Sequence, residues 1–90
     1  MRFALIAIDR PDAQEIRLNN RDAHLAYVAE SGAVETAGPF LDQDGQMCGS
    51  LLILNVDSRK EAENWAKNDP YAIAGLFATV NLREWKKVIG

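Results

Sequence analysis

Residues 47–61 read M-C-G-S-L-L-I-L-N-V-D-S-R-K-E. The first ten are apolar on both alternating faces, with Leu52 and Leu54 on one and Leu51 and Ile53 on the other, the pattern of a strand covered on both sides. Directly after it, S-R-K-E at 58–61 is a capping box: the Ser58 hydroxyl accepts from the Glu61 amide while the Glu61 carboxylate reaches back. A helix from about 59 to 68 follows, so a buried strand runs straight into a helix.

Upstream, D-Q-D-G at 42–45 supplies turn chemistry, and Val34 to Phe40 forms a second strand, making an antiparallel hairpin with the first. Gly38-Pro39 weakens the end of that strand and marks an edge or a bend. Residues 2–9 are again apolar on both faces, with Phe3, Leu5 and Ala7 against Ala4, Ile6 and Ile8. A polar helical stretch starts at Pro11; Asn19, Asn20, Arg21 and Asp22 mark either a break or a second start before H-L-A-Y-V-A-E-S, and Gly32 stops the helix. Downstream of D-P-Y-A-I-A-G, the run L-F-A-T-V-N-L-R-E-W alternates Leu76, Ala78, Val80 and Leu82 against Phe77, Thr79, Asn81, Arg83 and Trp85, a last strand.

The order is βαββαβ, the split βαβ arrangement of α+β ferredoxin-like folds: a four-stranded antiparallel sheet with two helices on one face. Two helices cover only that face, yet two strands are apolar on both. The uncovered face predicts a homodimer in which two sheets pack together, using Trp85, Phe77 and alternate residues of the first and third strands.

Composition narrows the function classes. Ninety residues make one domain, 1–90, with a modest core. A hydrophobic fraction of 48% and a charged fraction of 26% fit a soluble globular protein. A net charge of -3 without a basic run argues against nucleic acid as partner. Cys48 is the only cysteine and His24 the only histidine, so neither an intrachain disulfide nor a zinc site of several Cys and His ligands can form. The apolar run F-A-L-I-A-I is too short for a signal segment or a membrane span. The expected location is a reducing cytoplasm, with no membrane partner.

Read as continuous helix, residues 17–31 put Arg17, Asn20, Arg21, His24, Tyr27, Val28 and Ser31 on one side, with His24 bordering a core-facing line of Leu18, Leu25 and Val28. Arg17 and Arg21 lie one or two turns from His24, where they would favour an anionic ligand or carboxylate. An acid meeting His24 would hold one tautomer and stabilise the imidazolium. Asp22 is nearly opposite on the helix and cannot serve; Asp69 can, since Pro70 fixes the turn that follows. Asp69 also reads simply as the N-cap of a short helix beginning at Pro70. Tyr71 would then be a packing residue with its hydroxyl at the surface. Ser50 faces either a pocket or the sheet interface, and Cys48 reads as a small buried hydrophobe.

Taken together, R-D-A-H-L-A-Y (21–27), A-G-P (37–39), D-G-Q-M-C-G-S (44–50), N-D-P-Y-A-I-A-G-L (68–76) and the closing W-K-K-V resemble the YciI-like, YCII-related proteins of the dimeric α+β barrel group, over nearly the whole chain. The resemblance implies a ferredoxin-like protomer, a dimer, and a cavity between sheet and helices holding a His-Asp pair. By motif position these are His24 and Asp69. Aromatic dehydrochlorination belongs to part of that family and muconolactone-type isomerisation to the wider barrel group.

The expectation is a small cofactor-independent lyase or isomerase, without a metal, acting on a small anionic or hydroxylated cyclic compound. His24 and Asp69 are its catalytic candidates, with Arg17, Arg21, Tyr71 and Ser50 as substrate-binding candidates. The alternative is a non-catalytic dimer that holds a small molecule.

Overall fold

The computed structural model describes all 90 residues. In chain order the elements are β1 (Arg2–Asp9), α1 (Gln14–Ser31), β2 (Val34–Leu41), β3 (Met47–Asn55), α2 (Arg59–Asn68), α3 (Pro70–Ile73) and β4 (Phe77–Trp85). The strands form one antiparallel sheet in the order β2-β3-β1-β4. This is the ferredoxin-like α+β architecture, with the two doubly apolar strands at its centre. No helix is long and apolar enough to cross a membrane.

Local chemistry accounts for the element boundaries. Ser58 Oγ accepts from the Glu61 amide at 3.2 Å, satisfying one free donor of the first turn of α2, and the Glu61 carboxylate reaches back to the Asp57 amide just ahead of the helix at 3.0 Å. Gly32 ends α1 with φ 65°, a left-handed cap that costs glycine little. From Gln14 to Ser31 α1 is one continuous helix, so Asn19 to Asp22 is not a break. No glycine or proline interrupts it, and Asn20 folds its amide back onto the Ile16 carbonyl at 2.9 Å. Pro39 falls within β2 rather than at its end; an edge strand tolerates the missing donor.

The core lies between sheet and helices. Phe3, Leu5 and Ala7 of β1, Leu52 and Leu54 of β3, and Ala62 and Trp65 of α2 form its centre, covered by Tyr27 and Val28 of α1. Full burial of one large apolar side chain contributes about 1.5–3 kcal/mol, so Phe3, Leu5, Leu52 and Leu54 dominate the stabilisation. Tyr27 Oη donates to the Trp65 carbonyl at 2.9 Å and Trp65 Nε1 donates to Ser31 Oγ at 2.9 Å, which ties α1 to α2. A second, smaller cluster of Ala13, Tyr71 and Leu76 sits at the other end of α1.

Two expectations about facing are corrected. Leu18 does not line the core: it is 73% exposed and Leu25 is also exposed, whereas the buried residues of α1 are Arg17 and His24. The helix packs a polar stripe inward because a polar site waits there. Phe77 does not belong to the uncovered sheet face either. A bulge in the β1–β4 ladder pairs Asp9 with Phe77 and Ile8 with Thr79, so Ala78 is the extra residue and Phe77 is turned to the helix side, edge-on to Tyr71.

The opposite sheet face carries Ala4, Ile6, Ile8, Leu51, Ile53 and Trp85, with Ile8, Leu51 and Trp85 exposed in the single chain.

Candidate functional site

The polar stripe of α1 meets β1, β3 and α3 in one place. Arg17 and His24 are two helical turns apart, and each is held by an acid from another element. Arg17 Nε donates to Asp9 Oδ2 at 2.8 Å and Nη2 to Asp9 Oδ1 at 2.9 Å, the paired geometry of a guanidinium on a carboxylate. Nη2 also donates to Ser50 Oγ at 3.0 Å. Burial works against the Arg17 charge, but the hydrogen bonds and negative charge of Asp9 outweigh it and hold the pKa above the usual arginine value.

His24 Nδ1 lies 2.7 Å from Asp69 Oδ1, with His24 8% and Asp69 1% exposed. An ionised carboxylate only accepts, so Nδ1 carries the proton and donates it, leaving Nε2 as the free lone pair. Nε2 has no partner in the chain and is not sealed from outside. The same Asp69 Oδ1 accepts from the Tyr71 amide at 3.0 Å and caps α3, with Pro70 at its first position. Helix cap and histidine partner are therefore one atom, and both readings of D-P-Y hold together.

Tyr71 joins the two pairs. Its ring stacks on the His24 imidazole at a centroid distance of 4.0 Å and 13° between planes. The Arg17 Cζ lies 4.9 Å from the same ring centroid. The guanidinium thus lies over the ring as a cation on an aromatic system. Burial raises the Tyr71 pKa, against the opposing pull of the Arg17 and Arg21 charges. Burial likewise raises that of Tyr27, helped by the charge of Asp69.

These residues border a cleft of ≈ 170 Å³ between α1 and the β2–β3 hairpin. Arg17, Arg21, His24, Ser50 and Tyr71 line it, with Leu25, Pro39 and Leu52 among its apolar walls. Asp69 stands behind His24. Ser50 thus faces the cleft rather than the outer sheet face. Arg21 is exposed and has no acidic partner, so it is the free cation at the cleft, whereas Arg17 is already neutralised by Asp9. No three His, Cys, Asp or Glu side chains converge on one point, and the free charge favours an anionic ligand.

Sequence reasoning did not single out Asp9. Its one signal is an acid closing a strand that is otherwise apolar on both faces. The Ala37-Gly38-Pro39 wall is legible in the sequence as a strand device and as one motif of the family resemblance, but not as a lining of the cleft.

A family model described as YCII-related domain matches residues 1–86. Protein YciI of Escherichia coli O6:H1 is 35% identical over 97 residues, spanning 98% of this chain and 99% of that protein. Among solved structures, 5-chloro-2-hydroxyhydroquinone dehydrochlorinase (TftG) from Burkholderia phenoliruptrix, in complex with 2,5-dihydroxybenzoquinone, has a TM-score of 0.87 and 36% identity, covering 96% of this chain and 94% of its own. Rv0793 from Mycobacterium tuberculosis, with a TM-score of 0.60 at 16% identity over 100% of both chains, shares the fold alone. Matched along almost its full length by family model and relative alike, the chain belongs to the YCII-related domain family.

Proposed function

We propose that this chain is a small-molecule-processing enzyme of lyase or isomerase type that works by proton transfer and acts on a small anionic or hydroxylated cyclic compound. The observation that carries the reading is the buried 2.7 Å contact between His24 Nδ1 and Asp69 Oδ1 beside a cleft, with Nε2 left free. The dehydrochlorinase at 36% identity, solved with a dihydroxybenzoquinone, supports the substrate class.

His24 Nε2 takes a proton from the ring. The electron pair of the broken bond moves into the ring and either expels a leaving group or is protonated elsewhere by the same imidazolium. Asp69 holds the imidazole in the required tautomer and offsets its positive charge. Arg21 offsets the negative charge on the substrate, while Arg17, committed to Asp9, presents Ser50 and Tyr71 to the cleft rather than an open cation. The step requires no redox or group-transfer partner. The working form in this proposal is a cytoplasmic homodimer that buries the exposed Ile8, Leu51 and Trp85 face.

A screen of halogenated and hydroxylated quinols and unsaturated lactones, with wild type and His24→Ala side by side, tests the chemistry. Loss of about 10²–10⁴ in kcat is expected for His24→Ala. Unchanged turnover of an identified substrate refutes it. One observation favours a second reading, a dimer that binds a small molecule without chemistry: Asp69 is needed as a cap whether or not His24 reacts. That reading predicts ligand binding with no turnover by wild type.

A further inference from the structure

Met47 opens β3, and strict alternation from Leu51 and Gly49 would place it on the outer sheet face. The β2–β3 ladder shifts register there. Phe40 pairs with Gly49 and Leu41 with Met47, so Cys48 is the extra residue and Met47 turns to the helix side, where it borders the cleft. Its carbonyl accepts from Gln14 Nε2 at 2.6 Å, which ties the main chain to the start of α1. The side chain is 37% exposed, unbranched and free to change rotamer.

Beyond Met47 lies a second cavity of ≈ 280 Å³, bordered by Asp9, Asp12, Gln14, Asp42 and Cys48. Met47 is the one residue that borders both spaces. The rest of the partition is an ion pair: Arg17 borders the cleft, Asp9 borders the second cavity, and bonds of 2.8 and 2.9 Å hold them together. Among the other walls of the cleft, Arg17, His24, Ser50, Leu52 and Tyr71 are buried and do not yield. An apolar cavity of about 150 Å³ is filled by a benzene molecule, so ≈ 170 Å³ admits one substituted six-membered ring.

We infer that the Met47 side chain sets the size limit of the cleft: it closes the end toward the second cavity, so that a ligand of one ring fits and a ligand of two fused rings must displace it. The inference rests on the reading above that the cleft takes a small cyclic compound, and adds the residue that limits its size. Shortening this side chain joins the two spaces without altering His24, Asp69 or Arg21, and leaves the backbone bond to Gln14 in place.

Calorimetric titration of 2,5-dihydroxybenzoquinone, one ring, and 2-hydroxy-1,4-naphthoquinone, two fused rings, into wild type, Met47→Ala and Met47→Leu tests this. The quantity compared between forms is the ratio of the two dissociation constants, which cancels the difference in charge between the compounds. Met47→Ala should shift the ratio toward the two-ring compound by about 10- to 100-fold, the range for a methylene-sized change in a pocket, while Met47→Leu, of similar volume, keeps the wild-type ratio. An unchanged ratio in Met47→Ala overturns the inference alone, as does an equal shift in Met47→Leu. Binding of neither compound by wild type or Met47→Ala overturns it together with the reading it rests on.

Discussion

The coupling between His24 and Asp69 can be read as a stability difference through a double-mutant cycle. Asp69→Asn retains an oxygen for the Tyr71 amide and for Nδ1–H, because asparagine caps as well as aspartate. It loses only charge assistance, the difference between a charged hydrogen bond at about 1.5–3 kcal/mol and a neutral one at about 0.5–1.5, so it should cost about 1–1.5 kcal/mol. Asp69→Ala removes the cap as well, worth about 1 kcal/mol, together with the charged bond, and should cost about 2.5–4 kcal/mol. His24→Ala leaves a carboxylate that is 1% exposed with the Tyr71 amide as its remaining donor. Combining His24→Ala with Asp69→Ala should therefore cost less than the sum of the two, by a coupling of about 1.5–3 kcal/mol. Urea unfolding at one fixed protein concentration measures wild type and all four variants, and equal m-values license the comparison. Additivity within about 0.5 kcal/mol would refute the claim that carboxylate and imidazole are engaged in the folded protein.

Gly49→Ala should be destabilising by about 1–3 kcal/mol, because a Cβ there would lie 2.5 Å from the Ala7 carbonyl oxygen and 3.1 Å from the Phe40 ring; an unchanged urea midpoint would contradict the close approach of β1 and β3. Both tyrosines have pKa values raised in the folded state, so their contribution to stability is complete below the unfolded value of about 10 and is lost as pH rises through the raised folded values. Tyrosinate absorbance should thus appear late and together with unfolding; ionisation at the ordinary value with the fold intact would count against the burial described. Leu51→Glu, on the uncovered sheet face, should convert a two-chain mass by light scattering into a one-chain mass, and a wild type already of one-chain mass would dispose of the dimer.

The order of elements and most of their ends were legible in the sequence because they depend on neighbours. Strand period, the Ser58 and Glu61 box, the Gly32 stop and the Asp69-Pro70 start each need only a few consecutive residues, and all appear in the structure. His24 and Asp69 were named as a pair from the chain alone, by a helical face and a motif resemblance. Their separation of 45 residues meant that contact itself was not readable.

What the tertiary structure alone decided is how the elements dock. The side of α1 that turns inward is chosen by the acids waiting on β1 and α3, so Arg17 and His24 are buried and Leu18 is left out, against the hydrophobic pattern. One bulge residue, Ala78, reverses the side taken by Phe77, and a period of two carries no mark of such an insertion. Asp9 enters the site only because the end of β1 lies beneath Arg17. Local propensity is written in adjacent residues, whereas a site assembled from β1, α1, β3 and α3 exists only once the burial of the core has brought those four elements together.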